Sequence, residues 1–323
     1  MKKILIMHTG GTIAMVENEV TGSVTPVDHH PLTEHINQLQ AIADVDEIQV
    51  FDLPSPHITL NHMLILGQHI EDQVKKDKYD GIVLTHGTDT LEETAYFLDL
   101  YLNSTIPVVI TGAMRSSNEI GSDGLYNLIS AIRVASDEEA TQKGVLVVMN
   151  DEIHSAAYVT KTSTSNVATF QSPQFGPIGI LTKQEVYFYH KWIRFEPIKF
   201  TVITKTVPLI KAYAGMEQAF IKAVCQLPLD GLVIEGFGQG NLPPCMVSEI
   251  EQLIENSIPV VLVSRSFKGV VQPTYGYQGG GKDLEEKGVW FAKRLSGQKA
   301  RIKLLALLEA GYQWEQIKTI LER

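Results

Sequence analysis

Six consecutive residues, Thr85-His86-Gly87-Thr88-Asp89-Thr90, bring three hydroxyls, an imidazole and a carboxylate to the end of the apolar run Gly81-Ile82-Val83-Leu84. A second apolar run, Ile4 to Met7, ends in His8-Thr9-Gly10-Gly11-Thr12, so both runs lead into a Thr-x-Gly-Thr turn. A third, Val108-Val109-Ile110, leads into Thr111-Gly112-Ala113. Glycine at a strand end lets the chain turn tightly and brings backbone N–H groups close to a ligand. Hydroxyls on neighbouring turns suit nucleophilic attack on a carbonyl, provided a nearby group lowers the cost of removing the hydroxyl proton. Asp89 is one such group. Lys161, in Val159-Thr160-Lys161-Thr162-Ser163-Thr164-Ser165, is a distant second, although a lysine in a Thr/Ser-rich turn is ordinarily a solvated charge. The structural alternative for the opening stretch is helix capping. Thr90 with Glu93 fits a capping box ahead of Leu91 to Leu98, which leaves Thr88 and Asp89 unexplained.

The elements that must position these residues alternate along the chain. Strand-like runs at Ile4 to His8, Ile48 to Leu53, Gly81 to Thr85, Ile106 to Thr111 and Gly144 to Met149 are separated by helical patterns. Those patterns cover Pro31 to Ala43, Thr59 to Lys76 with Thr59 as N-cap, the stretch after Thr90 to about Leu102, and Leu125 to Ala135. Five strands with intervening helices imply a parallel sheet covered on both faces, with the polar turns at its carboxyl edge. The texture changes after Phe175, and the βα alternation restarts at Val207, so two α/β domains are expected: 1–190, a linker at 191–206, and 207–323. The polar stretch Met15 to Val27, with Gly22 and few apolar anchors, reads as a lid over the site or as a long surface connection.

Composition narrows the function classes. The chain has 323 residues, 44% hydrophobic and 20% charged, which is a globular balance. A formal net charge of −10, with no Lys/Arg stripe, disfavours nucleic acid as a partner. No apolar run is long enough to span a membrane, and no secretory cleavage pattern follows the first strand, so a cytoplasmic location is the expectation. Cys225 and Cys245 show no CxxC spacing, and His29, His30 and His57 show no HExxH or comparable ligand spacing, so no disulfide and no metal are expected. GxGxxG, GxxxxGK[ST] and GxSxG patterns are absent, which argues against nucleotide cofactors and a serine elbow. No cofactor is expected.

Thr9-Gly10-Gly11-Thr12-Ile13 together with Thr85 to Thr90 resembles the paired signature of the bacterial-type L-asparaginase family. The likeness continues through Pro107 to Arg115, Val147 to Asp151, Lys161-Thr162, Gly236 to Asn241 and Ser264-Arg265, which spans essentially the whole chain, and the absence of a signal-peptide pattern is similar to the cytosolic type I branch. The resemblance implies a larger amino-terminal flavodoxin-like parallel-sheet domain and a smaller carboxy-terminal α/β domain. It also implies hydrolysis of L-asparagine to aspartate and ammonia, with glutamine as a poorer substrate. In the family's pattern Thr12 matches the nucleophile that forms an acyl-enzyme. Thr88, Asp89 and Lys161 match the set that activates water and grips the substrate α-amino group, and Ser55 matches the residue that binds the α-carboxylate. The two glycine turns would supply an oxyanion hole, worth on the order of 3 kcal/mol per donor. Because family members bind substrate at a subunit interface, a homodimer or homotetramer is implied, with Asn241 approaching from a neighbouring chain's second domain.

Two positions depart from the family's pattern. The mobile loop after the first threonine carries no tyrosine: its equivalent place falls on Val24, and Tyr275 is the candidate to supply a phenol from the partner subunit. Pro56 follows Ser55 where exported enzymes often have a side-chain amide, so one substrate hydrogen bond is expected to be lost. The competing function is a non-catalytic amino-acid-binding regulatory homologue, which would be expected to have lost a threonine or the Lys161–Asp89 pair.

Overall fold

The computed structural model describes residues 1–18, 20–26, 36–190 and 196–322, in two compact units, Met1–Pro197 and Ile198–Arg323. Gly81–Thr85, Val108–Thr111 and Val145–Met149 are buried at every residue. Strands without polar alternation must be covered on both faces, and the first unit is arranged accordingly.

Its elements are β1 (Lys3–His8), β2 (Met15–Glu17), β3 (Val24–Pro26), α1 (Ile36–Gln40), β4 (Asp44–Gln49) and α2 (Leu60–Lys75). They continue with β5 (Gly81–Thr85), α3 (Leu91–Tyr101), β6 (Val108–Thr111), α4 (Gly124–Ala135) and β7 (Val145–Met149). Five short strands follow: β8 (Glu152–Ser155), β9 (Thr160–Lys161), β10 (Phe170–Gln171), β11 (Gly179–Leu181) and β12 (Val186–Phe188). The main sheet has the order β12-β11-β8-β7-β6-β5-β1-β4. Within it β4, β1, β5, β6 and β7 are parallel. Successive side chains of a strand point to opposite faces. Ile4, Ile6, Val83, Val109 and Leu146 accordingly pack with Leu39 of α1 and Leu128 and Ile132 of α4, while α3 lies against β6 and β7, with α2 beside it. The chain leaves β1 for β4 on one side, then places β5 on the other. That order is the flavodoxin-like doubly wound one, and it opens a crevice between the carboxyl ends of β1 and β5.

The sheet is larger than a five-stranded parallel reading allows. β8, β11 and β12 add to it in antiparallel fashion, beginning with a tight β7–β8 hairpin. The hairpin turn is Asn150-Asp151, both at positive φ (50° and 64°), a conformation these two side chains tolerate better than most. The stretch Met15 to Val27 also differs from the expected loop. Met15 pairs with Pro26, Val16 with Thr25 and Glu17 with Val24, giving a two-stranded hairpin, with Val27 outside the described residues. Thr59 caps α2 as expected, and His62 completes its capping box. Of the helix expected over Pro31 to Ala43, residues 31–35 lie outside the described residues, α1 covers 36–40, and 41–43 form a turn instead of continuing it. Residues 191–195 of the expected linker are likewise outside them, and 196–208 contain no helix or strand.

The second unit is a four-stranded parallel sheet in the order β13 (Leu209–Lys211), β14 (Leu232–Gly236), β15 (Val260–Ser264) and β16 (Trp290–Phe291). Its helices are α5 (Gln218–Cys225), α6 (Val247–Glu255), α7 (Gly281–Glu286), α8 (Gly297–Glu309) and α9 (Trp314–Glu322). Ile221, Ile250 and Leu253 close one face over Ile210, Ile234 and Leu262, and α8 lies against β13, β14 and β15.

The crevice is shaped by glycine. A Cβ on Gly11, which sits at φ +88°, would lie 2.3 Å from Gly87 Cα and 2.4 Å from Gly87 N. A Cβ on Gly87 would in turn lie 2.7 Å from both Cβ and Oγ of Ser55. The turns after β1, β4 and β5 therefore touch backbone to backbone. Gly11→Ala adds both the clash and an unfavourable φ, and is expected to lower stability by at least ~1 kcal/mol and to reduce activity. Urea unfolding of the two proteins, with the midpoint and slope compared, checks this.

Candidate functional site

Thr88 and Asp89 follow β5 and precede α3. Thr88 is buried, and Lys161 brings its ammonium to both residues: Nζ donates to Thr88 Oγ1 at 3.0 Å and to Asp89 Oδ1 at 2.8 Å. Lys161 reaches them from β9, whose partner is β10, with Lys161 opposite Phe170 and Thr160 opposite Gln171. The Asp89 side chain is 59% exposed and that of Lys161 17%. A pair this open to water is worth only ~0–1 kcal/mol to stability. Its consequence is chemical: an ammonium 3.0 Å from a hydroxyl oxygen favours negative charge on that oxygen.

Ser55 opens a short 3-10 turn, Ser55–His57, after β4. Its Oγ accepts the Asp89 N–H at 3.2 Å, which leaves the hydroxyl proton for an acceptor outside the fold. Thr90 is the N-cap residue of α3, but its side chain makes no cap. Its Oγ1 donates instead to the Ser55 carbonyl at 2.8 Å, so the capping-box reading of Thr90 and Glu93 is corrected. The physical reason is the close packing of the Ser55 side chain on Gly87, which brings the Ser55 carbonyl within reach of that hydroxyl.

Thr12 starts the single 3-10 turn Thr12–Ala14 after β1 and is half-buried. Among the described residues nothing hydrogen-bonds its hydroxyl, and the backbone N–H groups of Thr12 and Thr88 donate to no described acceptor. Unpaired backbone N–H groups are rare inside proteins. Together with those of Gly10, Gly11 and Gly87, which also lack a described acceptor, the Thr12 and Thr88 N–H groups make the two glycine turns a source of donors for an oxyanion.

The supports of these turns were not legible as functional residues. Thr9 Oγ1 donates to the Thr85 carbonyl at 2.8 Å, and His8 Nδ1 lies 2.8 Å from Thr85 Oγ1, which locks the two strand ends together. His86 is buried. Its Nδ1 faces the Gly87 carbonyl at 2.8 Å, which can only accept, and its Nε2 accepts from Thr94 Oγ1 at 2.9 Å; these partners assign the neutral ring with its proton on Nδ1. Burial pushes its pKa down to about 4. Asp123 accepts the Met114 and Arg115 N–H groups at 3.1 and 3.0 Å, and Asn127 donates to the Gly112 carbonyl at 3.0 Å, fixing the turn after β6. From that turn Asn118 pairs with the Glu17 backbone on both sides, at 2.8 and 2.9 Å, and so anchors the β2–β3 hairpin. An Asp four residues before an Asn at a helix start was the available signal for the Asp123 clamp; the Asn118 anchor left none.

Two candidates lie on the second unit. Asn241 follows β14, and its Oδ1 accepts the Gly281 N–H at 3.2 Å, leaving its amide N–H groups to other partners. Tyr275 is 46% exposed and its ring lies 5.7 Å from that of Tyr277, while its carbonyl accepts the Lys282 N–H. Among the described residues no group of His, Cys, Asp and Glu side chains could hold a metal ion, and no helix is long and apolar enough to cross a membrane.

Comparison with known proteins covers both units. The family model described as asparaginase, N-terminal, matches residues 3–194, and the glutaminase/asparaginase C-terminal domain model matches residues 206–321. An L-asparaginase of Bacillus licheniformis is 37% identical over 312 residues, 97% of each chain. A probable L-asparaginase of Deinococcus radiodurans is 38% identical over 327 residues, 99% of this chain and 97% of that one. L-asparaginase 2 of Escherichia coli is 35% identical over 330 residues, 99% and 92% of the two chains.

The buried imidazole has a measurable consequence. A histidine at about 4 when folded and 6.5 when unfolded binds its proton first in the unfolded chain. Its contribution to stability is complete above pH 6.5 and is lost as pH falls toward 4, by roughly 3 kcal/mol in all. In His86→Gln the stability–pH curve between these values should flatten by up to one proton, as read from urea midpoints across the range.

Proposed function

The chain belongs to the asparaginase family, and from that membership we infer that it is an amidohydrolase that converts L-asparagine to aspartate and ammonia. We propose, further, that Thr12 and the Thr88–Lys161–Asp89 set divide the chemistry between them. The observation that supports this division is the pair of Lys161 hydrogen bonds, which commits Thr88 and Asp89 to one cation and leaves Thr12 unengaged. In this reading Thr12 Oγ1 attacks the side-chain amide carbon. The C–O bond forms as the carbonyl π electrons move to oxygen, and the Thr12 and Thr88 N–H groups receive that oxyanion. The proton lost from the Thr12 hydroxyl passes to the amide nitrogen, and collapse breaks the C–N bond and releases ammonia, leaving an ester on Thr12. Water held near Thr88 and Lys161 then attacks the ester and regenerates Thr12 with aspartate as product.

Substrate orientation follows from what the remaining groups have to offer. The Asp89 carboxylate, half open to solvent, suits the α-ammonium, and the Ser55 hydroxyl proton suits the α-carboxylate. Pro56 brings no side-chain amide to this region, which fits weaker substrate binding. Asn241 and Tyr275 are proposed to serve a neighbouring subunit's site in a homodimer or homotetramer. The support is a free Asn241 amide N–H and an exposed phenol. The amino-terminal unit then carries the threonines and the carboxy-terminal unit completes the next chain's site, with glutamine as a poorer substrate. A cytoplasmic, type I assignment is also proposed.

Ammonia release from asparagine should fall by at least about 10³-fold in both Thr12→Ala and Thr88→Ala. Full activity in either overturns the role given to that residue. Tyr275→Phe should lower kcat by on the order of 10²-fold if the phenol assists proton transfer, and unchanged turnover removes Tyr275 from the mechanism.

A further inference from the structure

Lys161 sits on a two-residue strand, at the end of a long flexible side chain, and its ion pair with the largely exposed Asp89 is too weak to hold it. Something else must set where its ammonium falls. The residue before it does so directly: Thr160 Oγ1 donates to Glu92 Oε1 at 3.1 Å. Glu92 is 7% exposed and is the second residue of α3, the helix that begins immediately after Thr88-Asp89-Thr90. The first turn of a helix favours a carboxylate. The Lys161 ribbon and the turn it serves are thus joined twice within a few residues, once through Lys161 and once through Glu92 and Thr160.

We propose that Glu92 is a positioning residue for the hydrolysis: by accepting from Thr160 it fixes the β9 backbone against the start of α3, and so fixes the Lys161 ammonium on Thr88. This rests on the reading of Lys161 as the group that tunes Thr88. At 3.1 Å this hydroxyl-to-carboxylate contact is of ordinary strength, and its effect lies in placement, since its partners belong to the two elements that must be held in register. A displacement of about 1 Å in such a group can cost on the order of 100-fold in rate.

The test is steady-state asparagine hydrolysis by the full-length chain, with thermal unfolding measured on each variant. Glu92→Ala and Thr160→Val should each lower kcat by roughly 10- to 100-fold. Glu92→Gln keeps an acceptor oxygen and should recover most of the loss, a rescue that a general packing defect would not show. The Glu92→Ala/Thr160→Val double variant should be no slower than the worse single variant, because both remove one contact. Lys161→Met serves as the reference for complete loss of the ammonium. Near-full rates in Glu92→Ala and Thr160→Val, multiplying losses in the double variant, or Glu92→Gln as slow as Glu92→Ala would each overturn the proposal. If Lys161→Met is impaired while Glu92→Ala is not, only the positioning role fails. If Lys161→Met is fully active, the role of Lys161 fails and the proposal with it. Should Glu92→Ala not fold, Thr160→Val against Glu92→Gln makes the same comparison.

Discussion

Two glycine backbones in contact are the constraint on which the site depends. Gly11 and Gly87 end turns on adjacent parallel strands, and neither has room for a Cβ. Because β1 lies between β4 and β5, the turns after all three converge, and Ser55 packs against Gly87. Any side chain at those positions would spread the turns and draw Thr12, Ser55 and Thr88 apart. The order of the sheet creates the crevice; the glycines keep it narrow and bring groups from three loops together.

Around that contact, polar groups are used for placement more than for stability. The Lys161–Asp89 pair is too exposed to stabilise the fold appreciably, yet it sets the environment of the Thr88 oxygen. The stronger supports are buried or backbone-directed: His86 on the Gly87 carbonyl, Asp123 on the Met114 and Arg115 N–H groups, and Thr9 on the Thr85 carbonyl. Each consumes a donor or acceptor that would otherwise be unpaired at a strand end. The Thr12 and Thr88 N–H groups, like those of Gly10, Gly11 and Gly87 in the same turns, donate to no described acceptor. The β2–β3 hairpin follows the same rule. Asn118 holds it at Glu17, the last strand residue before the turn, while the turn carries an almost fully exposed Val20.

Much of this was legible in the residues. The apolar runs ending in Thr-x-Gly-Thr marked β1 and β5 and their turns, because strands buried on both faces write themselves as unbroken apolar stretches. Thr59 was legible as a cap for the same local reason, since its partner His62 is three residues away. Thr90 was not, although its local pattern was as good: the acceptor that won its hydroxyl, the Ser55 carbonyl, is brought in from another strand. The hairpin over Met15 to Pro26 and the antiparallel strands after Met149 were hidden for a related reason. Short strands carry little periodicity, and what holds them is pairing with distant residues.

The amino-acid sequence by itself determined the strands and helices that flank the two turns, the presence of two threonines, a carboxylate and a lysine, and, through residues such as Thr9 to Ile13 and Thr85 to Thr90, the family. These depend on local composition and on residues that lie side by side in the chain. Only the tertiary structure decided that Lys161, more than seventy positions from Asp89, is a partner and not a solvated charge, that Thr90 serves Ser55, and that Gly11 meets Gly87. The physical reason is that hydrogen bonds and close backbone contacts reach only a few ångströms. Which residues come within that reach is set by strand order, a property of the whole unit that no short segment records.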